Sequence, residues 1–131
     1  MQEKIAKLKS LKLLFVEDEE DLLNIITDTL TKLQANFITA LDGEIALKIL
    51  EEDDDIDLVI TDINMPNMNG LELIETVQKK GLDKPFVIMS AHTEKEYMDK
   101  AKSLGIENYL LKPFDFIKFI ELVSNMEFDK K

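Results

Sequence analysis

Five short runs rich in β-branched and aromatic residues, "KLLFVE" (12–17), "NFITAL" (36–41), "DLVITD" (57–62), "PFVIMSA" (85–91) and "IENYLLK" (106–112), alternate with longer stretches, and this alternation leaves few folds open. The intervening stretches space their apolar residues as helices do, for example Leu22, Leu23, Ile26 and Leu30, or Leu71, Ile74 and Val77. Strands separated by helices cannot be hairpin neighbours, so the sheet must be parallel, with helices covering both faces. The unbroken apolar runs of strands 1, 3 and 4 fit burial on both sides. Turn chemistry marks the boundaries: Asp42-Gly43 opens the second helix, Gly81 closes the third, and Thr93 with Glu96 forms a capping box for the fourth. At 131 residues the chain is long enough for one domain and too short for two ordinary ones. Residues 11–127 are assigned to that domain, 1–10 to an N-terminal extension or the end of an upstream linker, and 128–131 to a C-terminal tail.

A net charge of −11 opposes contact with phosphate backbones, which needs Lys and Arg to displace counterions, so nucleic acid is excluded as a direct ligand. The run Glu51, Glu52, Asp53, Asp54, Asp55 reads as a solvated loop, because consecutive like charges repel. There is no Cys, hence no disulfide and no thiolate metal site. The opening "MQEKIAKLKS" lacks the apolar core of a signal peptide, and no stretch is long enough to cross a bilayer. The expectation is a cytoplasmic protein with no membrane contact.

In an open parallel sheet, ligands bind beyond the carboxyl ends of the strands, near the point where strand order reverses. Strand 1 ends in Glu17-Asp18, strand 3 in Asp62, strand 4 in Ser90 and strand 5 in Lys112-Pro113; Leu41-Asp42-Gly43 after strand 2 reads as an ordinary turn. Asp62 is followed by Asn64, Pro66, Asn67, Asn69 and Gly70, residues that bend a chain. If strands 1 and 3 are adjacent, three carboxylates meet, and two unit charges about 4 Å apart repel by roughly 4 kcal/mol at an effective dielectric of 20. A few hard oxygen ligands with room for water suit Mg²⁺. Lys112 adds a movable cation and Ser90 a hydroxyl, so the cluster points to transient phosphate. Taken singly, each residue has a plainer explanation. Asp18 can complement a helix dipole together with Glu19, Glu20 and Asp21, Asp62 can form a turn, Ser90 can bond locally, and Lys112 can be a surface lysine.

"FVEDEE", "ITDINMPNMNG", "MSA" and "YLLKPF" stand in the order and at the intervals found in receiver domains of two-component response regulators, and the resemblance covers nearly all of residues 11–125. It implies a flavodoxin-like (βα)5 fold: a doubly wound, five-stranded parallel sheet of order 2-1-3-4-5. Asp62 would accept a phosphoryl group from a phosphohistidine of a sensor histidine kinase or phosphotransfer protein. Mg²⁺ (or Mn²⁺) would be held by Glu17, Asp18, Asp62 and the backbone carbonyl of Asn64. Lys112 would pair with the phosphoryl oxygens, Ser90 would swing toward them, and Tyr109 would change rotamer in response. The Lys112-Pro113 bond would be cis, and Asn64 and His92 would flank the path of water and tune dephosphorylation. The readout would be the surface of helix 4, strand 5 and helix 5, counted along the β-α units, acting on a downstream effector protein or domain, with the chain a monomer or a phosphorylation-linked dimer. Such a domain is not an enzyme with a separate substrate; it assists its own phosphotransfer and autodephosphorylation. Two departures bear on metal geometry: Glu17 stands where Asp is commonest, and Ser90 where Thr is frequent.

Three other readings are weighed against this one. A flavin mononucleotide protein of similar fold needs a Ser/Thr/Gly-rich phosphate loop after strand 1, where this chain has "EDEED". A phosphatase with an Asp nucleophile needs a second Asp two positions on, and meets Asn64. A receiver-like scaffold that never turns over phosphate is separated only by a phosphorylation experiment. The residues after Pro113 suffice for one last helix, so the chain is read as a stand-alone receiver or as a piece of a longer regulator or hybrid kinase.

Overall fold

The computed structural model describes residues 1–91, 95–112 and 115–128. A helix, α1 (Gln2–Lys9), precedes five β-α units: β1 (Lys12–Val16), α2 (Glu20–Lys32), β2 (Asn36–Ala40), α3 (Gly43–Glu52), β3 (Leu58–Asp62), α4 (Gly70–Lys79), β4 (Phe86–Ser90), α5 (Lys95–Ser103), β5 (Tyr109–Leu111) and α6 (Phe116–Asn125). The strands form one parallel sheet of order β2-β1-β3-β4-β5, as the resemblance implied. Each strand lies inside its apolar run; β5, with three residues, is much shorter than the run that contains it.

Alternate residues of the strands feed two cores, one on each face of the sheet. Leu14 and Val16 point with Val59 and Ile88 toward Ala46 and Leu50 of α3, Leu73, Ile74 and Val77 of α4, and Ala101 of α5. Leu13 and Phe15 point with Leu58, Ile60, Val87 and Met89 toward Ile26 and Leu30 of α2 and Phe119, Ile120 and Val123 of α6. β3 and β4 are buried throughout, whereas edge strand β2 is buried only at Ala40. Val16 pairs with Thr61 in the β1-β3 register, and the backbone N–H of Glu17 still donates to the Ala40 carbonyl at 3.0 Å. Glu17 is thereby held at the sheet edge next to Asp62.

The first ten residues are more ordered than an extension requires. Leu8 is buried in the core under α6 and Ile5 packs against the same core, an apolar spacing of three that sequence reading passed over because both stand among charges. Lys7 Nζ donates to the carbonyls of Ser124 (2.9 Å) and Met126 (2.5 Å), capping the open end of α6, and lies 5.6 Å from the Phe128 ring centre. The acidic run is likewise not a plain solvated loop. Glu51 and Glu52 end α3, Asp53 pairs with Lys12 at 2.5 Å, and Glu51 pairs with Lys80 at 3.2 Å. Among the described residues, no helix is long and apolar enough to cross a membrane.

Three helices end in the same way, with a residue in the left-handed region and an N–H reaching back to a carbonyl of the last turn. After α4 and α5 this residue is glycine, Gly81 (φ 73°) and Gly105 (φ 81°), but after α2 it is Gln34 (φ 59°), where Ala35 N–H donates to Leu30 O at 3.0 Å. A side chain there costs about 1–2 kcal/mol, of which glycine's extra unfolded-state entropy returns about half. Gln34→Gly is therefore expected to raise stability by about 0.5–1 kcal/mol, visible as a higher urea midpoint with unchanged slope.

Candidate functional site

Asp62 is the last residue of β3, and its two carboxylate oxygens have different partners. Oδ1 accepts from the N–H of Ile63 at 2.7 Å, and Oδ2 accepts from Lys112 Nζ at 2.9 Å. Lys112 is placed by the sheet: its N–H donates to Ser90 O at 2.9 Å, continuing the β4-β5 ladder one step past Leu111. The same ammonium reaches Glu17 Oε1 at 2.5 Å, while Glu17 Oε2 accepts from the N–H of Glu19 at 3.1 Å. Glu17 has no exposed surface, Asp62 and Ser90 are nearly buried, and Asp18 is exposed. Glu17, Asp18 and Asp62 each bring a carboxylate oxygen within 4.8 Å of the others. The adjacency of β1 and β3 thus does what the sequence required of it.

Two of these acids, Glu17 and Asp62, share one lysine. Burial pushes the Glu17 carboxyl above the usual carboxylate range, and the hydrogen bonds from Lys112 and the Glu19 N–H only partly oppose it. Burial pulls Lys112 down, but its hydrogen bonds to Glu17 and Asp62 outweigh this and hold the ammonium above the ordinary lysine value. Among the described residues the donor set is all oxygen and its carboxylates outnumber the Lys112 ammonium, which fits Mg²⁺ or Mn²⁺ and not a soft metal. A proton and a metal ion compete for Glu17. Because the folded state holds that proton to higher pH than an ordinary glutamate, Mg²⁺ affinity is expected to begin falling at a pH above that for a solvent-exposed carboxylate site. The apo protein should gain stability from Glu17 over the same descent, opposite in sign to the metal affinity. Calorimetric Mg²⁺ titrations and urea melts between neutral pH and about 4.5 read both slopes.

The loop between Asp62 and α4 is fixed at several points. The N–H of Gly70 donates to Ile63 O at 2.8 Å, drawing the helix start onto the strand end, and Asn69 with Glu72 forms a complete capping box. Asp42 takes part as well: it caps α3 by accepting from Ile45 N–H at 2.9 Å, and its other oxygen accepts from Asn67 Nδ2 at 2.7 Å. Those two bonds, the Ile45 N–H foremost, hold the Asp42 carboxyl below its usual range. Gly43 N–H donates to Met68 O at 3.1 Å. The Leu41-Asp42-Gly43 turn is therefore the anchor of the loop that follows Asp62 and more than an ordinary turn. Sequence reading missed it because its partner lies twenty-five positions away. Asn67 sits at φ 67°, a conformation Asn tolerates.

Asn64 is exposed on this loop, and its side-chain oxygen accepts from Tyr97 of α5 at 3.3 Å. Tyr109 is half-buried with its hydroxyl donating to Ile106 O at 3.0 Å; burial and then the charge of Glu107 raise its pKa. His92, the expected Thr93-Glu96 capping box and the expected cis bond before Pro113 fall on positions outside the described residues.

The profile of the response regulator receiver domain matches residues 13–124. The chemotaxis protein CheY homologue of Campylobacter jejuni is 38% identical over 107 residues, covering 79% of this chain and 82% of that protein. The N-terminal domain of a Wolinella succinogenes protein superposes with a TM-score of 0.80 at 30% identity, covering 88% of this chain and 92% of the other. The Thermotoga maritima response regulator TrrA, solved in complex with Mg²⁺ and BeF, gives 0.74 at 31% identity, with 86% and 96% covered.

Proposed function

This chain belongs to the response regulator receiver domain family of two-component systems, and from that premise we propose that Asp62 accepts a phosphoryl group from a phosphohistidine and later yields it to water. The observation that carries the reading is the bridge from Lys112 Nζ to Glu17 Oε1 and Asp62 Oδ2. It sets a cation 2.9 Å from the nearly buried Asp62 carboxylate, the oxygen nucleophile of aspartyl-phosphate chemistry. With Oδ1 engaged by the Ile63 N–H, Oδ2 is the attacking oxygen. Its bond to phosphorus forms as the P–N bond breaks, and the electron pair leaves with the imidazole nitrogen. Glu17, Asp18, Asp62 and the Asn64 carbonyl would hold Mg²⁺, which supplies charge neutralisation for the phosphoryl oxygens; the Thermotoga relative solved with Mg²⁺ and BeF supports that cofactor. Lys112 exchanges its bond to Oδ2 for one to a phosphoryl oxygen, and Ser90 donates its hydroxyl to another. In the return step a water oxygen attacks phosphorus, the P–O bond to Asp62 breaks, and the carboxylate re-forms as phosphate leaves. The domain is thus a phosphoacceptor in the cytoplasm and not an enzyme acting on a separate substrate.

The added charge of about −1.5 to −2, by analogy with other phosphorylated side chains, draws Ser90 and Lys112 inward. Ser90 pairs with Leu111 and Ile88 with Tyr109, so a shift at the end of β4 is felt along β5. The surface of α5, β5 and α6, which exposes Leu111 and Ile117, is the face an effector would read, and an effector that prefers the phosphorylated form would slow its loss reciprocally. The test is incubation with acetyl phosphate, with Mg²⁺ and with EDTA, followed by intact-mass and peptide mass spectrometry. One phosphoryl group on the Asp62 peptide with Mg²⁺, and none with EDTA or in Asp62→Asn, is expected; labelling elsewhere, or none at all, overturns the assignment.

A further inference from the structure

Helix α5 has a thin hold on the core. Of its described residues only Ala101 is buried, and polar contacts fasten it at its start, middle and end: Tyr97 Oη to Asn64 Oδ1 at 3.3 Å, Lys100 Nζ to Glu75 at 2.9 Å, and Leu104 O to Gln78 Nε2 at 2.7 Å. All three reach the segment that follows Asp62, Asn64 in the loop and Glu75 and Gln78 in α4. A movement of that segment is therefore transmitted to α5 through these contacts. The Tyr97 contact lies nearest the reactive carboxylate, two residues along the chain from it.

We propose that Tyr97 is a positioning residue for the Asp62 site, its hydroxyl pinning the Asn64 amide and the loop after β3 against α5 and so slowing loss of the phosphoryl group to water. The proposal rests on the phosphoryl chemistry assigned to Asp62. An amide whose oxygen is engaged by a hydroxyl has its NH₂ end turned the opposite way, so one hydrogen bond sets the orientation of the whole group. Asn64 is exposed at the mouth beside Asp62, where a water must come in line with the breaking P–O bond. Freed from Tyr97, the loop and the first turn of α5 part more often, and the mouth admits water more often. The Tyr97 ring packs against the same core face as Met65, Met68 and Tyr109, so Tyr97→Phe removes the hydroxyl while keeping the packing.

The protein is labelled with acetyl phosphate and Mg²⁺, the donor is removed, and loss of the label is followed in wild type, Tyr97→Phe, Asn64→Ala and the double variant. Tyr97→Phe should lose the group about three- to tenfold faster, the scale of one neutral hydrogen bond. Added to Asn64→Ala, it should change the rate less than twofold, because its partner is already gone. A purely structural role would multiply with Asn64→Ala. Loss within twofold of wild type or slower in Tyr97→Phe, or the same acceleration in the Asn64→Ala background, overturns the proposal. Amide hydrogen exchange of the unlabelled protein reads the tether itself: residues 95–100 should exchange faster in Tyr97→Phe, and unchanged exchange also overturns it. If wild type takes up no phosphoryl group, the phosphoacceptor assignment falls on that result, while the exchange measurement still judges the tether.

Discussion

Lys112→Met is expected to destabilise the metal-free protein by about 3 kcal/mol at neutral pH, the cost of leaving a buried carboxylate without its cation. Glu17 has no exposed surface and takes its shortest hydrogen bond, 2.5 Å, from this lysine. Methionine matches the length of the stem but offers the two acids nothing. The loss should shrink toward acid pH, since Glu17, already pushed up by burial, takes a proton and sheds its charge. It should also shrink in Mg²⁺, and Mg²⁺ should bind about tenfold more tightly than in wild type, because a cation that competes for the same oxygens has been removed. Phosphoryl transfer should nevertheless fall, for the variant has no ammonium to follow the charge from Oδ2 to the phosphoryl oxygens. Urea melts at two pH values, with and without Mg²⁺, together with calorimetry, test each sign. A variant that binds Mg²⁺ more weakly would show that Lys112 does not compete with the metal.

Gly70→Ala is expected to cost about 3 kcal/mol or more and to disturb the site directly. A Cβ at this position would overlap the carbonyl oxygen of Asp62 and stand 3.0 Å from its carbon and 3.2 Å from the Cα of Ile63. All three are backbone atoms of the strand end, so no side chain can swing away to relieve the overlap. The helix start must retreat, breaking the Gly70-Ile63 hydrogen bond, or Asp62 must turn. Gly81→Ala is the control: nothing lies within 4 Å of its added Cβ, and only its φ of 73° resists, at about 1 kcal/mol. Urea denaturation should separate the two variants by a factor of about three in stability loss, and acetyl phosphate labelling should fall only in the first. Equal losses would mean that the strand end yields easily.

What could be read in advance follows the range of the interaction. The five strands were legible because each is a contiguous apolar run, and the site because parallel strands deliver Glu17, Asp62, Ser90 and Lys112 to one edge whatever the loops do. Helix α1 was not, since its one buried leucine, Leu8, sits in a charged segment and makes sense only against α6. The role of Asp42 was not, since the Asn67 amide that engages it belongs to another loop. Gly70 reads in sequence as a bend, yet its φ lies outside the positive range; the need for glycine comes from the Asp62 carbonyl pressed against it. The Tyr97-Asn64 bond joins positions thirty-three apart with no pattern to announce it.

The lysine that seals α6 from α1 has a geometric corollary. Since Lys7 grips the carbonyls of Ser124 and Met126, α1 and the end of α6 sit side by side at the foot of the sheet, where Ser10 and Phe128 border the same cleft as Asp57 and Pro85. The reactive rim is a full strand length away, roughly 15 Å. A fluorophore carried on α1 and a second on the segment just after α6 would share that one corner, and both would leave the opposite rim untouched.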